Sequence, residues 1–217
     1  MKLQKLGGYA AIASICVFIV YAVYANHIFS SVNLKDPADI MAVMSSTSGE
    51  FYVLNLLYLL YLIFLLILGV ALHERMHADA PYLSHMMLIA AVVNSAIGII
   101  STMVTIKSIG MIVPTQDLSA FMTYWTIREG LNSASGYATA WSFLFAGCAI
   151  LVTRSFSVVL GWLVVVTGIL WIPAFFIIHI GFNRILPNLL NIMSFAAMIW
   201  IGTAMLRKKH PNYRTDK

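Results

Sequence analysis

Six apolar stretches, each about as long as a bilayer is thick, constrain this chain more than any other feature of its sequence. A transmembrane helix needs roughly 20 consecutive and mostly apolar residues. The stretches that meet this requirement are 7–25, 51–72, 84–106, 132–153, 157–179 and 186–206. Because lipid offers no hydrogen bonds to the backbone, an open chain crosses it only as helices. The sequence therefore predicts an all-α, polytopic membrane protein in which residues 1–217 form a single six-transmembrane-helix bundle.

The composition supports this prediction and argues against nucleic-acid binding. Of the 217 residues, 61% are hydrophobic and only 10% are charged, whereas charged residues make up about 25% of a soluble domain. The formal net charge is +5, but a nucleic-acid-binding protein carries its Lys and Arg as a patch on one polar surface. Here Lys and Arg lie at the ends of the apolar stretches. We therefore expect membrane lipids, and no nucleic acid, as partners.

The distribution of Lys and Arg predicts the orientation of the chain. Six spans place both termini on the same side of the membrane. That side has nine basic residues, which are Lys2, Lys5, Arg75, Arg154, Arg207, Lys208, Lys209, Arg214 and Lys217. The opposite side has four, which are Lys35, Lys107, Arg128 and Arg184. Because cytoplasmic loops carry the excess of Lys and Arg, we expect both termini to be cytoplasmic.

A short motif at the end of the second stretch is typical of zinc hydrolases. His73, Glu74 and His77 form H-E-x-x-H, in which two imidazoles on one helix face bind zinc and the carboxylate acts as general base. His85, across a short loop, is the candidate third ligand. Against this interpretation, Pro81 ends the helix soon after the motif, and His near a helix C-terminus is favoured by the helix dipole. We therefore predict no cofactor and keep zinc at the three histidines, with Glu74 as candidate catalytic residue, as an alternative.

Uncharged polar residues at membrane depth form a second set of candidates. Asn94, Tyr137, Trp141 and Asn191 lie within the predicted spans, where they are candidate contacts for a ligand or a partner. Residues of this kind most often form hydrogen bonds between helices. The interiors of the six stretches contain no acidic or basic residue, and such residues mark proton relays and ion paths. The sequence therefore argues against a proton-coupled transporter.

An aromatic and charged group precedes the fourth stretch. The segment that begins near Asp117 has the pattern of a short amphipathic helix at the membrane surface, capped by Asp117 or Ser119. It contains Tyr124, Trp125 and Arg128. Trp and Tyr are enriched at membrane–water interfaces. We therefore interpret the group either as an interfacial belt or as the lip of an outward-facing pocket for a lipid, a quinone or another apolar ligand.

Several longer patterns together resemble a known family. They are "LQKLGGYAAIAS" at the start, "DPADI" before the second stretch, "LILGVALHERM" at its end, "LNSASGYATAWSFLFAGCAILVTRSFSVVLGWLVVVTGILW" over the fourth and fifth, and "LRKK" after the sixth. The chain resembles a bacterial family of six-helix integral membrane proteins of unknown function over nearly its whole length. The resemblance implies this fold in the bacterial cytoplasmic (inner) membrane and implies no activity. An aromatic residue is usual in the family where His73 stands, so the histidine pair is a local feature of this chain.

Three functions are compatible with these residues. The leading prediction is a non-enzymatic membrane subunit or accessory protein that binds apolar partners: another membrane protein or a second copy of the chain, lipid, or a lipophilic cofactor. The alternatives are a metal-dependent membrane hydrolase at the H-E-x-x-H motif and a transporter of a small uncharged solute at the level of Asn94, Tyr137 and Asn191. Stretch 51–72 contains one strongly polar residue, Asn55, so we expect that helix to face outward toward lipid or a partner.

Overall fold

The structure, a computed structural model, describes residues 2–30, 32–33, 36–179 and 185–207, with the side chains of 175–179, 185 and 187 excepted. The helices in these ranges are α1 (Lys2–Phe29), α2 (Pro37–Ser46), α3 (Ser48–Met76), α4 (Pro81–Met111), α5 (Leu118–Thr153), α6 (Val158–His179) and α7 (Ile185–Leu206), with a 3-10 turn at Val113–Thr115. No β-strand occurs in the described ranges. The predicted all-α class is confirmed.

Five helices, α1, α3, α4, α5 and α7, are long and apolar enough to cross a membrane. The predicted stretch 157–179 forms α6, whose fully described apolar part, Val158–Ala174, is shorter. The described residues therefore confirm five helices that are compatible with a helical membrane bundle, and a bundle of six spans stays a prediction. Among the basic residues that predict the orientation, Lys35, Arg184 and those beyond Arg207 lie outside the described residues.

The six long helices form a closed ring. Each packs against the next long helix in the chain, and α7 returns to pack against α1. The α3–α4 and α5–α6 turns, the start of α1 and the end of α7 lie at one end of the ring, which we call the basic end because Arg75 and Arg154 lie there. The connections through α2 and through the 3-10 turn lie at the opposite end, which we call the loop end. An apolar core occupies each end.

The basic-end core is built from side chains of all six ring helices. Its buried members include Leu72, Met87, Ile150 and Met205. Glycines allow the helices to approach closely, and a Cβ atom placed on Gly168 of α6 would lie 2.6 Å from the backbone nitrogen of Leu144 in α5. Because lipid is as apolar as these side chains, close packing of this kind is what holds membrane helices together.

The loop-end core includes an element that the sequence interpretation did not predict. The predicted stretches 7–25 and 51–72 leave residues 26–50 as a connection without a predicted helix, but Pro37–Ser46 folds as α2. The Asp36 side chain accepts a hydrogen bond from the Ala38 N–H at 2.9 Å, and Pro37 stands at the first helical position, so both residues favour a helix start there. Met44 of α2 is fully buried in this core. The segment therefore covers the loop end of the ring.

Helix α5 unites two segments that the sequence predicted as separate. The amphipathic segment and the fourth span form one continuous helix of 36 residues, which is about 54 Å long at a rise of 1.5 Å per residue. Its N-cap is Asp117, whose side chain accepts a hydrogen bond from the Ala120 N–H at 3.0 Å. Tyr124, Trp125 and Arg128 therefore lie on the body of a long helix instead of on a separate surface helix.

Candidate ligand cavity and histidine cluster

Between the two apolar cores, the ring encloses a row of cavities with a partly polar wall. Two neighbouring cavities of about 230 Å³ each share Phe18, Tyr58 and Asn132 in their walls. A third, apolar cavity of about 60 Å³ continues into the basic-end core and shares Asn94 and Thr139 with its neighbour. Every ring helix contributes to the wall, through Phe18 of α1, Tyr58 of α3, Asn94 of α4, Asn132 of α5, Trp171 of α6 and Asn191 of α7.

Hydrogen bonds between helices hold the polar wall in place. The Ser101 hydroxyl donates to the Asn132 amide oxygen at 2.8 Å, and the Ser135 hydroxyl donates to the Asn94 amide oxygen at 2.5 Å. Both amide oxygens are thereby satisfied by the facing helix. No described residue accepts a hydrogen bond from either amide NH₂ group. The wall therefore offers two donors to a molecule in the cavities.

Arg128 lies in the wall of the cavity nearest the loop end. Its guanidinium donates to the Glu129 carboxylate at 2.8 Å and lies 4.6 Å from the centre of the Trp125 ring. The pair neutralises the guanidinium charge, and the indole face gives it further stabilisation. The cavity is therefore bordered by a paired cation, not by a free positive charge.

The structure brings together some of the predicted contact residues and separates others. Asn94, Asn191 and Arg128 lie in the cavity walls. Tyr137 is half-buried and lies outside these walls. Trp141 is 45% exposed and stacks on a neighbouring phenylalanine of α5, so it lies outside the cavity walls, and its prediction as a partner contact stays a prediction.

Two members of the predicted aromatic and charged group belong to the loop-end core. Tyr124 is buried in the loop-end core, and Trp125 packs half-buried against that core. Because α5 continues through this segment, the two rings lie on a packed helix face. They stabilise the loop end, and Arg128 reaches the wall of the enclosed row of cavities. Tyr124 also lines an open groove of about 570 Å³ between α4 and α5.

Helix α3 has two faces, of which the sequence predicted one. Leu56 is 57% exposed, as expected for an outward-facing helix. Asn55 is buried and donates to the Phe51 carbonyl at 2.7 Å, and it lies in the cavity wall with Tyr58. Besides its outward face, α3 therefore has a polar face toward the interior, which the sequence did not predict. The spacing of Asn55, Tyr58 and Tyr61, three residues apart, is the signal that places them on one side of the helix.

The three histidines of the zinc alternative lie together at the basic end. The centres of the His73, His77 and His85 rings are 4.8 to 4.9 Å apart, and one ligand nitrogen from each lies within 4.8 Å of the others. Helix α4 begins at Pro81, four residues after His77, so its first turns return His85 to the end of α3. Glu74, the candidate general base, is exposed and is not part of the cluster.

The turn that carries this cluster is held against the α5–α6 turn. The Arg75 guanidinium donates to the Ser155 carbonyl at 2.8 Å and lies 4.1 Å from the centre of the Phe156 ring. These contacts fix the last turn of α3, because they engage both the charge and the flat face of the side chain.

No protein-family model matches the chain, and comparisons with curated proteins and with solved structures likewise find no match. The resemblance to a bacterial six-helix family therefore stays a prediction.

Proposed function

We propose that this chain is a non-enzymatic, six-span protein of the bacterial cytoplasmic membrane, with both termini in the cytoplasm, and that its ring binds a lipophilic molecule with a hydrogen-bond-accepting head. The observation that carries the proposal is the row of cavities to which all six ring helices contribute. Such concave sites between helices, mostly apolar with a few placed polar groups, are typical of small-molecule binding.

The chemistry of the wall changes along the row, and this gradient supports an amphiphilic ligand. Nearest the loop end, Asn132 and Arg128 provide polar groups. The third cavity, toward the basic end, is lined by leucines, methionines and small apolar residues. A head that accepts hydrogen bonds, such as the carbonyl of a quinone or an ester, could accept from the amide NH₂ groups of the wall. An apolar tail would then lie in the third cavity, toward the basic end.

The distribution of charge supports the proposed topology. Among the described residues, Lys2, Lys5, Arg75, Arg154 and Arg207 lie at the basic end. Lys107 and Arg128 are their counterparts toward the loop end. The positive-inside rule therefore favours a cytoplasmic basic end.

A transporter of a small uncharged solute is the second candidate, because the same partly polar cavities lie in a row along the ring axis. Flux of a neutral solute such as glycerol into proteoliposomes would favour it. Retention of a tightly bound lipophile with no flux would favour the binding protein. Hydrolysis is not proposed, since Glu74 is exposed outside the histidine cluster.

Substitution of one cavity amide tests the proposed function. We expect Asn132→Leu to reduce binding of the co-purifying lipophile about tenfold, since it removes one or two hydrogen bonds worth about 1 kcal/mol each. Native mass spectrometry of protein purified in mild detergent measures the bound fraction. Asn188→Leu is the matched control, because Asn188 is an exposed amide on α7 outside the walls. Equal bound fractions in the two variants, or no bound lipophile in the wild type, would contradict the proposal.

A further inference from the structure

The histidine cluster at the basic end is separate from the cavities and has the geometry of an unassigned metal site. Two of its members come from the last turn of α3 and one from the first turns of α4. We propose that His73, His77 and His85 bind a divalent transition-metal ion, with Zn²⁺ as the best match, and that the ion links α3 to α4 and keeps one coordination position open.

The distances are compatible with a zinc site after small side-chain rotations. An ion equidistant from three nitrogens 4.8 Å apart would lie about 2.8 Å from each, whereas a zinc–imidazole bond is about 2.0–2.1 Å long. Each nitrogen therefore has to move inward by less than about 1 Å. His77 and His85 are exposed, so their rings have room for this movement. The turn between the end of α3 at Met76 and the start of α4 at Pro81 is short, so it keeps the histidines of the two helices close together.

The hydrogen bond made by His85 leaves one of its ring nitrogens available for a metal ion. The Nδ1 atom of His85 lies 2.7 Å from the Pro81 carbonyl oxygen. A carbonyl only accepts, so Nδ1 carries the hydrogen and Nε2 keeps its lone pair for a metal. Histidine ligands in metal sites usually donate their second N–H to a carbonyl or carboxylate in this way, which fixes the tautomer and orients the ring.

A buried nitrogen of His73 provides an independent indication. Its Nδ1 atom is buried and has no hydrogen-bond partner among the described residues. A buried polar atom without a partner is costly and calls for a bridging water or an ion. Coordination of a metal ion through this nitrogen would give it the partner that the described residues do not supply.

The surrounding charges favour a cation. Glu74 and Asp79 lie in the same segment and are exposed. The guanidinium of Arg75 is engaged by Ser155 and Phe156 of the neighbouring turn. Two of the three charged side chains in this segment are thus carboxylates, and the third, Arg75, is engaged by the neighbouring turn. Three imidazoles without a thiolate or a carboxylate ligand suit Zn²⁺, Cu²⁺ or Ni²⁺ and not Mg²⁺ or Ca²⁺.

Zinc stoichiometry and affinity test the proposal. The full chain should be purified with a tag that contains no histidine, stripped with a chelator and titrated with Zn²⁺ by calorimetry. We expect one zinc per chain with a dissociation constant on the order of 1 µM or tighter, and we expect His85→Ala to weaken binding by ~100-fold or more, at least the loss seen when only an outer-shell partner is removed. His27→Ala is the matched control because His27 is an exposed histidine at the opposite end of the ring, and it should bind like the wild type.

A spectroscopic measurement keeps the test decisive if a variant folds poorly. Co²⁺ in a tetrahedral site with nitrogen ligands gives intense visible absorption, and we expect it in the wild type and in His27→Ala but not in His85→Ala. Binding only at millimolar zinc, or equal affinity in wild type and His85→Ala, would overturn the proposal. Failure of this site would leave the cavity proposal intact, because the two sites share no residue.

Discussion

Close contact between α5 and α6 makes a strong prediction about two glycine-to-alanine substitutions. Gly168 of α6 packs on the backbone of α5, where an added Cβ atom would lie 2.6 Å from the Leu144 nitrogen and 2.9 Å from the Ala140 carbonyl oxygen. Gly130 lies on an exposed part of α5 and would meet no atom within 4 Å. The two substitutions therefore change the same chemical group in opposite environments.

The two substitutions are expected to change the free energy of unfolding in opposite directions. Ordinary contact begins at about 3.4 Å, so Gly168→Ala has to separate the two helix backbones locally by about 0.8 Å. Overpacking of this kind typically costs 1–3 kcal/mol. Replacing glycine by alanine inside a helix stabilises the helix by up to about 1 kcal/mol. We therefore expect Gly168→Ala to lower the free energy of unfolding by about 1–2 kcal/mol and Gly130→Ala to raise it by about 0.5–1 kcal/mol.

Unfolding by sodium dodecyl sulfate in mixed micelles, followed by far-UV circular dichroism, measures this difference. The two variants and the wild type should be compared at the same protein and lipid content. A Gly168→Ala protein as stable as Gly130→Ala would show that α5 and α6 are not in backbone contact, and the ring would then have to close in another way.

Two further predictions concern topology and helix faces. In a chain lacking its two native cysteines, an impermeant thiol reagent added outside intact cells should label a cysteine at Ser46 but not at Ser157, and the reverse pattern would contradict the proposed orientation. Leu60→Trp, on the outward face of α3, should change the unfolding free energy by less than about 0.5 kcal/mol. Ser95→Trp, at a buried position, should prevent folding as judged by gel filtration in detergent, and equal tolerance of both would refute the assigned faces.

Hydropathy predicted where each apolar segment lies, because the energy of leaving water depends on composition, but α1, α3, α4 and α5 extend beyond their predicted stretches. It did not predict which side of α3 faces inward, since Leu56 and Tyr58 are both compatible with lipid and with a helical interior. The direction of a membrane helix is set by its neighbours, and the decisive contacts, such as Ser135 with Asn94, join residues 41 positions apart in the chain.

The α3–α4 turn and the continuous α5 show which features a local sequence pattern can predict and which it cannot. The end of α3 and the start of α4 were predicted because Pro81 interrupts the pattern locally, and the approach of His85 to His73 and His77 follows from that short turn. The continuity of α5 was not predicted, since the polar residues around Arg128 and Glu129 indicate a break by composition alone. Burial of Phe121 and Tyr124 against α2 stabilises the extra turns, and no local pattern reports that long-range packing.

In the proposed membrane topology, the length of α5 places the chain in two solvents. Counted from Thr153 at the basic end, a hydrocarbon layer of about 30 Å accounts for about 20 residues, so the part of α5 around Phe121 extends beyond it together with α2. The loop-end core is then surrounded by water and headgroups, and its assembly releases hydration water. Melting of this end should show a positive heat-capacity increment, as in a small soluble domain, whereas loss of packing at the basic end, from one apolar surrounding to another, should show almost none.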